Sequence, residues 1–385
     1  MNKSKLFEKY VLNNNVEVSN RLVVAPITLF SSNVDGSIND EERKYLKIRG
    51  KDIGIYILGS TSISPEGISA ITQPRAFSEK DLPSLTERAK IIKSQGALAI
   101  VQINHRGALA SRDLGLPPVA PSSDMAKKVL EFKGMPSDNI HELTDNEIKK
   151  IIEKFAYVTE LSIKAGYDGI ELHGANNYLL QQFFSPYTNR RTDYWGGSDE
   201  KRMNFPLKVV NAVCKMREKC NRPDFIIGYR LSPEEPYEGG INMDNTLELV
   251  KALVSKPIQY IHISQKNYFQ KARKGNCAGQ ERLKLIHNIT QKKLALIGVG
   301  GLLSEKDINS AMDTGFTEFI GVGKASILNE DLGILLKSGK GDKLNLELDT
   351  EHPEKYNIPT NLWKMCLTGQ DWLPPLKGKI NNNNK

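Results

Sequence analysis

The sequence is poor in cysteine and has no long apolar run. Its four cysteines, at positions 214, 220, 277 and 366, form no CxxC pair. That spacing excludes an iron–sulfur cluster and a disulfide framework, so we expect reduced thiols and no metal site. No segment approaches the roughly 18 apolar residues of a membrane span, and the opening MNKSKLFEKYVLNNN lacks the apolar core of a signal peptide. We therefore expect a cytoplasmic protein without a membrane partner.

Neither sign of charge dominates the chain. Lys and Arg number 53 and Asp and Glu 45, which gives a net charge of +8, and the basic residues are spread along the sequence. This balance permits an anionic cofactor or a nucleic acid but selects neither. The terminal NNNNK is compositionally biased and predicts a disordered tail.

Short apolar runs rich in Val and Ile alternate with amphipathic segments, which is typical of βα units around a parallel sheet. The 385 residues suffice for two domains or for one large barrel. A doubly wound sheet normally carries a GxGxxG turn after its first strand, and none is present. The pattern therefore predicts an α/β fold, a (β/α)8 TIM barrel. The predicted strands are 22–28, 53–60, 97–104, 167–173, 225–232, 258–264, 294–301 and 317–323.

Helix signals separate the predicted strands. Thr144 precedes a long amphipathic segment with acidic residues in its first turn, and Gly166 follows that segment. They predict an N-cap and a helix stop. Ser198 and Ser304 open two later segments in the same way, so both are predicted N-caps.

The two ends of the chain differ from the repeating part. Residues 9–20 predict a small hairpin with an Asn-rich turn, which could plug the barrel floor. The last part, rich in Pro and Trp, predicts an irregular cap. We expect residues 1–340 to form the barrel and residues 341–385 to form a C-terminal extension that packs on the barrel or trails from it.

The active sites of such barrels lie at the carboxyl ends of the strands, so residues at those ends are candidates for function. Most of them are polar or glycine, and the fold would bring them together. They are Pro26, Thr28, Ser60, Gln102, His105, His173, Arg230, His262, Gly300, Gly301, Gly323 and Lys324.

The last two predicted strands end in GVGG and GVGK, which include Gly300, Gly301, Gly323 and Lys324. Glycines at these places let backbone N–H groups approach a phosphate closely, and a lysine adds charge. The alternative is that the glycines only form tight turns. We expect a ligand that bears a phosphate.

Arg230 and Gln102 predict recognition of a ring. A cation inside a barrel mouth needs an anion or an electron-rich ring opposite it, whereas a salt bridge with Glu234 or Glu235 is the structural alternative. The Gln102 amide donates and accepts hydrogen bonds, as the edge of a heterocycle requires, although a lone glutamine there is more simply structural. We expect His262, in contrast, only to satisfy backbone groups.

Several segments together resemble a known family. VAPIT, VQINHRG, AGYDGIELHGANNYLLQQFFSPYTNRRTDYWGGSDEKR, YRLSP, GVGGL and GVGK are similar, in this order, to segments of the Old Yellow Enzyme family of FMN-dependent NAD(P)H oxidoreductases. The resemblance covers about residues 5–335. It implies a barrel that binds FMN and takes electrons from NADH or NADPH. The FMN contacts that it implies are Pro26, Ile27, Thr28, Ser60, Gln102, Arg230, Gly300, Gly301, Gly323 and Lys324.

HGANNY carries the residues that the resemblance implies act on the substrate. His173 and Asn176 would hydrogen-bond the carbonyl or nitro oxygen of an activated alkene and meet the negative charge that develops there. Tyr178, protonated at neutral pH, would give a proton to the α-carbon from the opposite face. Outside this context, Tyr178 would rather pack its ring with the hydroxyl in solvent. Phe30 occupies a substrate-binding position.

Some positions depart from the family's usual pattern. Lys324 replaces an arginine, which keeps the charge but loses the bidentate fork to phosphate. Arg106 and Ala108 occur where the usual pattern is HAGR, so the local charge has moved. Thr28 and Phe30 replace a Cys and a Tyr of one branch, so the flavin potential and the substrate scope are expected to differ.

The resemblance implies an enzyme that passes hydride from NAD(P)H through FMN to activated alkenes such as enones, or to related electrophiles. Longer relatives add an iron–sulfur cluster and an FAD domain. The chain has neither the cysteine spacing nor the length for these, so we expect electrons to pass directly from NAD(P)H to FMN. Tyr268 and Phe269 are candidates for a lid over the flavin.

Two other functions stay open at this point. One is an FMN-dependent reductase of RNA, similar to dihydrouridine synthases, which use a cysteine acid that no predicted strand end provides. The other is a phosphate-binding aldolase or isomerase, which needs a catalytic Lys or Glu at a strand end, and only Lys324 is available there. We expect a small-molecule substrate and no nucleic acid, and the sequence leaves a homo-oligomer open.

Overall fold

Eight parallel strands close into a barrel in the computed structural model, which describes residues 5–378. Each strand pairs with the next along the chain, and the last pairs with the first, as a (β/α)8 barrel requires. The predicted fold is confirmed, and the predicted disorder of the terminal NNNNK lies outside the described residues. The strands are β1 (Leu22–Val24), β2 (Ile55–Ser62), β3 (Leu98–Asn104), β4 (Gly169–Gly174), β5 (Ile226–Leu231), β6 (Tyr260–Ile263), β7 (Ala295–Val299) and β8 (Phe319–Val322).

The strands form where apolar residues run without alternation, because helices cover one face and the barrel interior covers the other. Apart from the half-buried Leu98, every strand residue is buried. β1 is shorter than the predicted 22–28, since Pro26 has no N–H to give to a neighbouring strand. The Ala25 N–H still donates to the Val322 carbonyl at 2.9 Å, and the chain leaves the sheet after it.

A small hairpin closes the lower end of the barrel, as predicted. Tyr10–Val11 pairs antiparallel with Glu17–Val18, and Asn15 takes a left-handed backbone (φ 65°) in the turn. The Tyr10 ring lies edge-on to Phe319 at 5.1 Å. Leu12 and Val18 from the hairpin complete a buried apolar cluster, called the floor below. The other members of the floor are Val23, Ala25, Ile55, Ile57, Ile100, Ile226, Tyr260, Ala295, Ile297, Val299 and Phe319.

Helices follow the strands around the outside. Those of the regular repeat are α1 (Asp40–Leu46), α2 (Leu82–Lys93), α3 (Asp145–Lys164), α4 (Asn204–Lys219), α5 (Met243–Val254), α6 (Arg282–Thr290), α7 (Glu305–Asp313) and α8 (Leu332–Lys337). Further short helices span Ser123–Phe132, Leu179–Phe184, Asp199–Arg202, Lys324–Leu328 and Thr360–Cys366. No helix among residues 5–378 is both long enough and apolar enough to cross a membrane.

The predicted helix caps are confirmed. Thr144 and Ser304 each accept a hydrogen bond from the backbone N–H three residues on, within a capping box, and Ser198 caps Asp199–Arg202. Gly166 (φ 84°) ends the turn after α3. The segment after Ser198 is not one helix, because it is interrupted at Met203 before α4 begins.

The segment after α8 contacts the barrel through its backbone and its apolar side chains. The Arg49 guanidinium donates to the Tyr356 carbonyl at 2.5 Å, and the Asn361 amide donates to the Phe30 carbonyl at 2.6 Å. Leu362 and Cys366 are buried in the main apolar core. The division into a barrel of residues 1–340 and an extension of residues 341–385 stays a prediction.

Candidate functional site

The barrel's register brings three polar residues of the predicted site side by side. His173 on β4 lies opposite Arg230 on β5, and Arg230 lies opposite His262 on β6. One step deeper, Gln102 on β3 lies opposite Glu171 on β4. Since residues two apart on a strand face the same way, Glu171 and His173 both point into the barrel. We call this polar end of the interior, together with the loops that follow the strands, the mouth.

Arg230 is a buried cation without a partner of its own. Its Nε lacks a hydrogen bond, and within the described residues no carboxylate oxygen comes within 4.0 Å of its guanidinium. Burial lowers the pKa of Arg230. The alternative that Arg230 forms a salt bridge with Glu234 or Glu235 is wrong. Glu234 pairs with Arg282, and Glu235 accepts from Gln181 at 2.7 Å. An unpaired buried guanidinium favours an anionic or electron-rich ligand.

A buried carboxylate lies beneath Arg230. Glu171 accepts from the Gln102 amide at 2.6 Å with one oxygen and contacts His262 Nδ1 at 2.8 Å with the other. Burial opposes ionisation, but His262 and Arg230 prevail and hold the pKa of Glu171 below its usual range. The expectation that His262 only satisfies backbone groups is wrong, because its partner is a carboxylate 91 positions away in the chain. Its Nε2 is buried without a hydrogen bond.

The ends of β7 and β8 form an open backbone cradle. Gly300 and Gly301 have φ of 125° and 68°, which a residue with a side chain rarely adopts. A Cβ on Gly323 would meet only the end of the Ile27 side chain, at 3.9 Å. Lys324 follows at the start of a short helix, and burial lowers the pKa of its ammonium group. Glycine backbone N–H groups beside a half-buried lysine suit a phosphate.

The loop after β1 and the end of β2 supply hydroxyl groups. Pro26, Ile27 and Thr28 are half-buried, and the Thr28 hydroxyl donates to Ser60 Oγ at 3.5 Å. The Gln73 amide donates to the Ser60 carbonyl at 2.7 Å, which fixes this strand end. Sequence reasoning missed Gln73, since it lies in a loop and no periodic signal marks it.

His173 is neutral, and the structure fixes which nitrogen carries its proton. Burial and the charge of Arg230 hold the pKa of His173 well below its usual range. Its Nδ1 accepts from the Ala175 N–H at 3.3 Å, so the proton is on Nε2. The ring therefore presents one N–H donor.

Asn176 presents a second donor. Its backbone is left-handed (φ 59°), and its N–H donates to Ser232 Oγ at 2.9 Å. The Ser264 hydroxyl donates to Asn176 Oδ1 at 2.9 Å, so the carbonyl end of the amide is occupied and the NH2 end is available. Ser232 and Ser264 were missed as site residues, although both fall at the ends of predicted strands.

Tyr178 lies beside His173. Their rings are 4.4 Å apart with planes tilted by 35°, and Tyr178 precedes the helix Leu179–Phe184 as its N-cap. The Tyr178 side chain is half-buried, and the Arg106 guanidinium lies 5.1 Å from its ring centre. One strand end and its loop thus bring together an imidazole N–H, a carboxamide and a phenol.

Two glutamines brace this loop. Gln181 accepts from the Asn177 N–H at 2.9 Å and donates to the Asn177 side-chain oxygen at 2.8 Å. Gln182 donates to the Asn177 carbonyl at 2.6 Å and accepts from the Ala108 N–H at 3.1 Å. The adjacent Phe183 and Phe184 are buried, as expected for core residues. The glutamines were not identified from sequence, because their partners belong to other parts of the chain.

The remaining residues named from the sequence differ in how the structure places them. Tyr268 is not a lid residue, because it is buried and its hydroxyl hydrogen-bonds Thr317 at 2.9 Å. Phe269 is exposed, and its role as a lid stays a prediction. Phe30 is half-buried with a left-handed backbone (φ 53°) next to the β1 loop. The four cysteines are free thiols that lie on helices or in loops away from the strand ends.

Comparison with known proteins agrees with this geometry. The model of the "NADH:flavin oxidoreductase / NADH oxidase family" matches residues 5–343. A probable NADH-dependent flavin oxidoreductase of Bacillus subtilis, YqiG, is 36% identical, and the match covers 96% of this chain and 97% of that one. An NADH:fumarate oxidoreductase of Klebsiella pneumoniae is 33% identical over 94% of this chain but only 39% of its own length. This chain therefore spans about two fifths of that second relative.

The fold also matches solved structures. Morphinone reductase in complex with tetrahydroNAD superposes with a TM-score of 0.75 at 23% identity, covering 92% of this chain and 96% of the other. At that identity the likeness concerns the fold alone. It agrees with the closed eight-stranded barrel.

Proposed function

The chain belongs to the NADH:flavin oxidoreductase / NADH oxidase family and is an FMN-dependent NAD(P)H oxidoreductase, and on that premise we propose that it reduces activated alkenes, of which α,β-unsaturated carbonyl compounds are the simplest. The single observation that carries the proposal is the contact of the His173 and Tyr178 rings, 4.4 Å apart, at one strand end whose loop also carries Asn176. Two of these groups can hold an oxygen, and the third can donate a proton. The fumarate named in the Klebsiella relative is itself an activated alkene.

The residues of the mouth fit FMN. We propose that the backbone of Gly300, Gly301 and Gly323 holds the phosphate, with Lys324 beside it, and that the orphaned Arg230 faces the electron-rich side of the ring system. Gln102, whose NH2 group is bound to Glu171, keeps its carbonyl oxygen free to accept from the ring edge. Pro26, Ile27, Thr28 and Ser60 would complete the contacts. When bound, FMN accepts hydride from NAD(P)H and passes it to the second substrate.

His173 and Asn176 are proposed to hold the carbonyl oxygen of the alkene. Negative charge builds on this oxygen as the β-carbon is reduced, and two preorganised donors stabilise the charge. A neutral imidazole suits this role, because its Nε2–H donates while the low pKa of His173 keeps the ring from trapping a proton. Phe30 is proposed to contact the substrate from the β1 loop.

Tyr178 is proposed to protonate the α-carbon. Its ring lies 4.4 Å from His173, so a substrate oxygen held by His173 places the neighbouring carbons close to the phenol. No metal is needed for either role, since the charge is met by hydrogen-bond donors.

The first test uses the purified flavoprotein. We expect a yellow protein that is bleached anaerobically by NADH or NADPH and recoloured by enones, maleimides or nitro compounds. Changing His173→Ala and Asn176→Ala together should slow recolouring by about 1000-fold, since removal of one such donor already costs roughly 10²- to 10³-fold. His352→Ala, at an exposed histidine, is the matched control.

Binding of a phenol gives a second reading of the same variant. Phenols bound over oxidised flavin produce a long-wavelength absorbance band, which the double variant should lose. Undiminished phenol binding, or recolouring at the wild-type rate, would refute the proposed role of these donors. A colourless protein that refuses added FMN would refute the whole assignment, and strong binding of tRNA at physiological salt would favour the RNA-directed alternative instead.

A further inference from the structure

A second cation lies over the proposed acid, at a position where the family pattern has none. Arg106 follows β3, and its guanidinium carbon lies 5.1 Å from the centre of the Tyr178 ring. Its backbone is fixed at both ends: its N–H donates to the Gly67 carbonyl at 3.0 Å, and its carbonyl accepts from Gln182 at 3.1 Å. The position of Arg106 is therefore set by the same glutamine that braces the Tyr178 loop.

The charge of Arg106 is not neutralised within the chain. One terminal nitrogen donates to the Ser69 carbonyl at 3.3 Å, but Nε is buried and has no hydrogen-bond partner. No carboxylate oxygen comes within 4.0 Å of this guanidinium in the part of the chain that the structure describes. A partly desolvated cation with unused donors is costly unless an anion completes it.

Two carboxylates of the surrounding loops are already engaged. Glu66 pairs with Lys154 at 2.7 Å, and Glu235 accepts from Gln181 and Ser185 at 2.7 and 2.6 Å. The charges that act on the site are instead positive: after burial and Arg230, Arg106 also lowers the pKa of His173. Two cations, Arg106 and Arg230, thus act on Tyr178, and neither guanidinium has a carboxylate oxygen within 4.0 Å among residues 5–378.

We propose that Arg106 binds a carboxylate carried by the alkene, so that the substrates of this enzyme are activated alkenes with an anionic end. The proposal rests on the proposed function and refines it. With the carbonyl oxygen at His173 and Asn176 and the reacting carbons at Tyr178, a carboxylate one or two bonds beyond those carbons reaches Arg106. A guanidinium suits this role, because its planar fork pairs with both oxygens of a carboxylate.

The same chemistry could come from a phosphate of NAD(P)H. Position favours the substrate, because Arg106 lies against the ring of Tyr178, whereas a ribose separates the nicotinamide ring from the nearest phosphate of the dinucleotide. The two sources differ in the half-reaction that they affect. Loss of a substrate contact slows alkene reduction, and loss of a cofactor contact slows reduction of the flavin.

The test compares one enone with and without the negative charge. The holoenzyme is assayed with trans-4-oxo-2-pentenoate and with its methyl ester, for Arg106→Gln, for the conservative Arg106→Lys and for the control Arg112→Gln, a nearby arginine paired with Asp138 at 3.3 Å. We expect Arg106→Gln to lower kcat/KM for the acid by about 100-fold and for the ester by less than about 3-fold. Arg106→Lys should recover most of the loss, and Arg112→Gln should change neither.

Binding without turnover gives an independent reading. The saturated analogues 4-oxopentanoate and its methyl ester are titrated against the oxidised flavoprotein, and Kd is read from the shift of the flavin spectrum. Arg106→Gln should raise Kd for the acid alone, by about the same factor of 100. Added salt should weaken binding of the acid to the wild type more than binding of the ester.

Three results would overturn the proposal. Equal losses on acid and ester would make Arg106 a positioning residue for Tyr178, and slower flavin reduction by NAD(P)H would assign the anion to the dinucleotide. A wild-type enzyme that reduces the ester but not the acid would refute the anionic substrate and leave the proposed function standing. If flavin reduced by NAD(P)H is reoxidised by neither compound nor by any neutral enone, the proposed function itself fails.

Discussion

Two buried arginines, one in the helical shell and one in the mouth, are treated in opposite ways by the fold. Arg88 on α2 is fully buried and donates to both oxygens of Glu42 on α1, at 2.6 and 2.8 Å, with only its Nη1 left without a partner. Arg230 is buried almost as deeply, yet it has no carboxylate of its own. A charge that serves the fold is neutralised by the fold. A charge left without a carboxylate in the mouth indicates a ligand.

Several buried nitrogen atoms of the mouth lack hydrogen-bond partners. Arg230 Nε, His262 Nε2 and Arg106 Nε are all buried without hydrogen bonds, although buried polar atoms are rarely left so. The floor of the barrel is built of apolar side chains, and the Tyr260 hydroxyl is its one buried polar side-chain atom without a hydrogen bond among the described residues. The two regions therefore predict different consequences of substitution: loss of stability in the shell and loss of binding or rate in the mouth.

The largest effect is expected in the shell. Glu42→Gln leaves Arg88 buried and uncompensated, which should lower the free energy of unfolding by about 4 kcal/mol. Urea unfolding monitored by circular dichroism measures this loss, with Glu41→Gln on the exposed face of the same helix as the control. The activity of the molecules that remain folded should be unchanged. If the free energy of unfolding fell by less than about 1 kcal/mol, the Glu42–Arg88 pair would contribute little to the stability of the helical shell, and the contrast with Arg230 would fail.

The second effect is expected in the mouth, where a substitution should weaken FMN binding without lowering stability. Arg230→Met removes a buried charge that has no carboxylate oxygen within 4.0 Å among the described residues and loses only its longer-range attraction to Glu171, so the protein without FMN should be about as stable as the wild type. FMN affinity, in contrast, should fall by about 3 kcal/mol because a charge-assisted contact to the ring is lost. Fluorescence titration with FMN and thermal unfolding without FMN give the two quantities. Destabilisation of the FMN-free protein would mean that Arg230 serves the fold as Arg88 does.

The third effect separates the two half-reactions, reduction of the flavin and its reoxidation by the alkene. Tyr178→Phe should slow reoxidation of the flavin by an enone about 100-fold, since the α-carbon loses its proton donor. Flavin reduction by NAD(P)H needs no such proton and should change little. Stopped-flow absorbance measures both half-reactions, and Tyr187→Phe is the matched control in the following loop. Equal slowing of the two half-reactions would remove Tyr178 from its proposed role.

The barrel was predictable from sequence because its signals are local. A run of buried residues predicts a strand, and the residues near its carboxyl end face the mouth, so the positions of His173, Gln102 and Arg230 could be predicted from the sequence alone. Pairs set by tertiary contact could not be predicted. Glu42 and Arg88 are 46 positions apart, and Glu171 and His262 are 91 apart. For the same reason Tyr268 was wrongly taken for a lid, since the threonines that hold its hydroxyl follow in a later βα unit.

The smallest effect is a pH dependence of stability that arises in the mouth. Burial and Arg230 hold the folded-state pKa of His173 well below its unfolded value of about 6.5. Above that value both states are neutral at this position, and His173 contributes no pH dependence. Below it the unfolded chain binds a proton that the folded chain refuses, so stability falls as pH falls, by at most about 1.4 kcal/mol per pH unit.

This slope should depend on His173 itself. Urea unfolding of the FMN-free protein at pH 7.5, 6.5 and 5.5 measures it, and His173→Gln should flatten the part below pH 6.5 while leaving the part above it unchanged. His141→Gln, at an exposed histidine paired with Glu147 at 2.9 Å, is the control, because His141 lies outside the mouth. A profile that keeps its full slope in the His173 variant would mean that this imidazole can be protonated within the folded mouth. It could not then act as the neutral donor that the proposed chemistry requires.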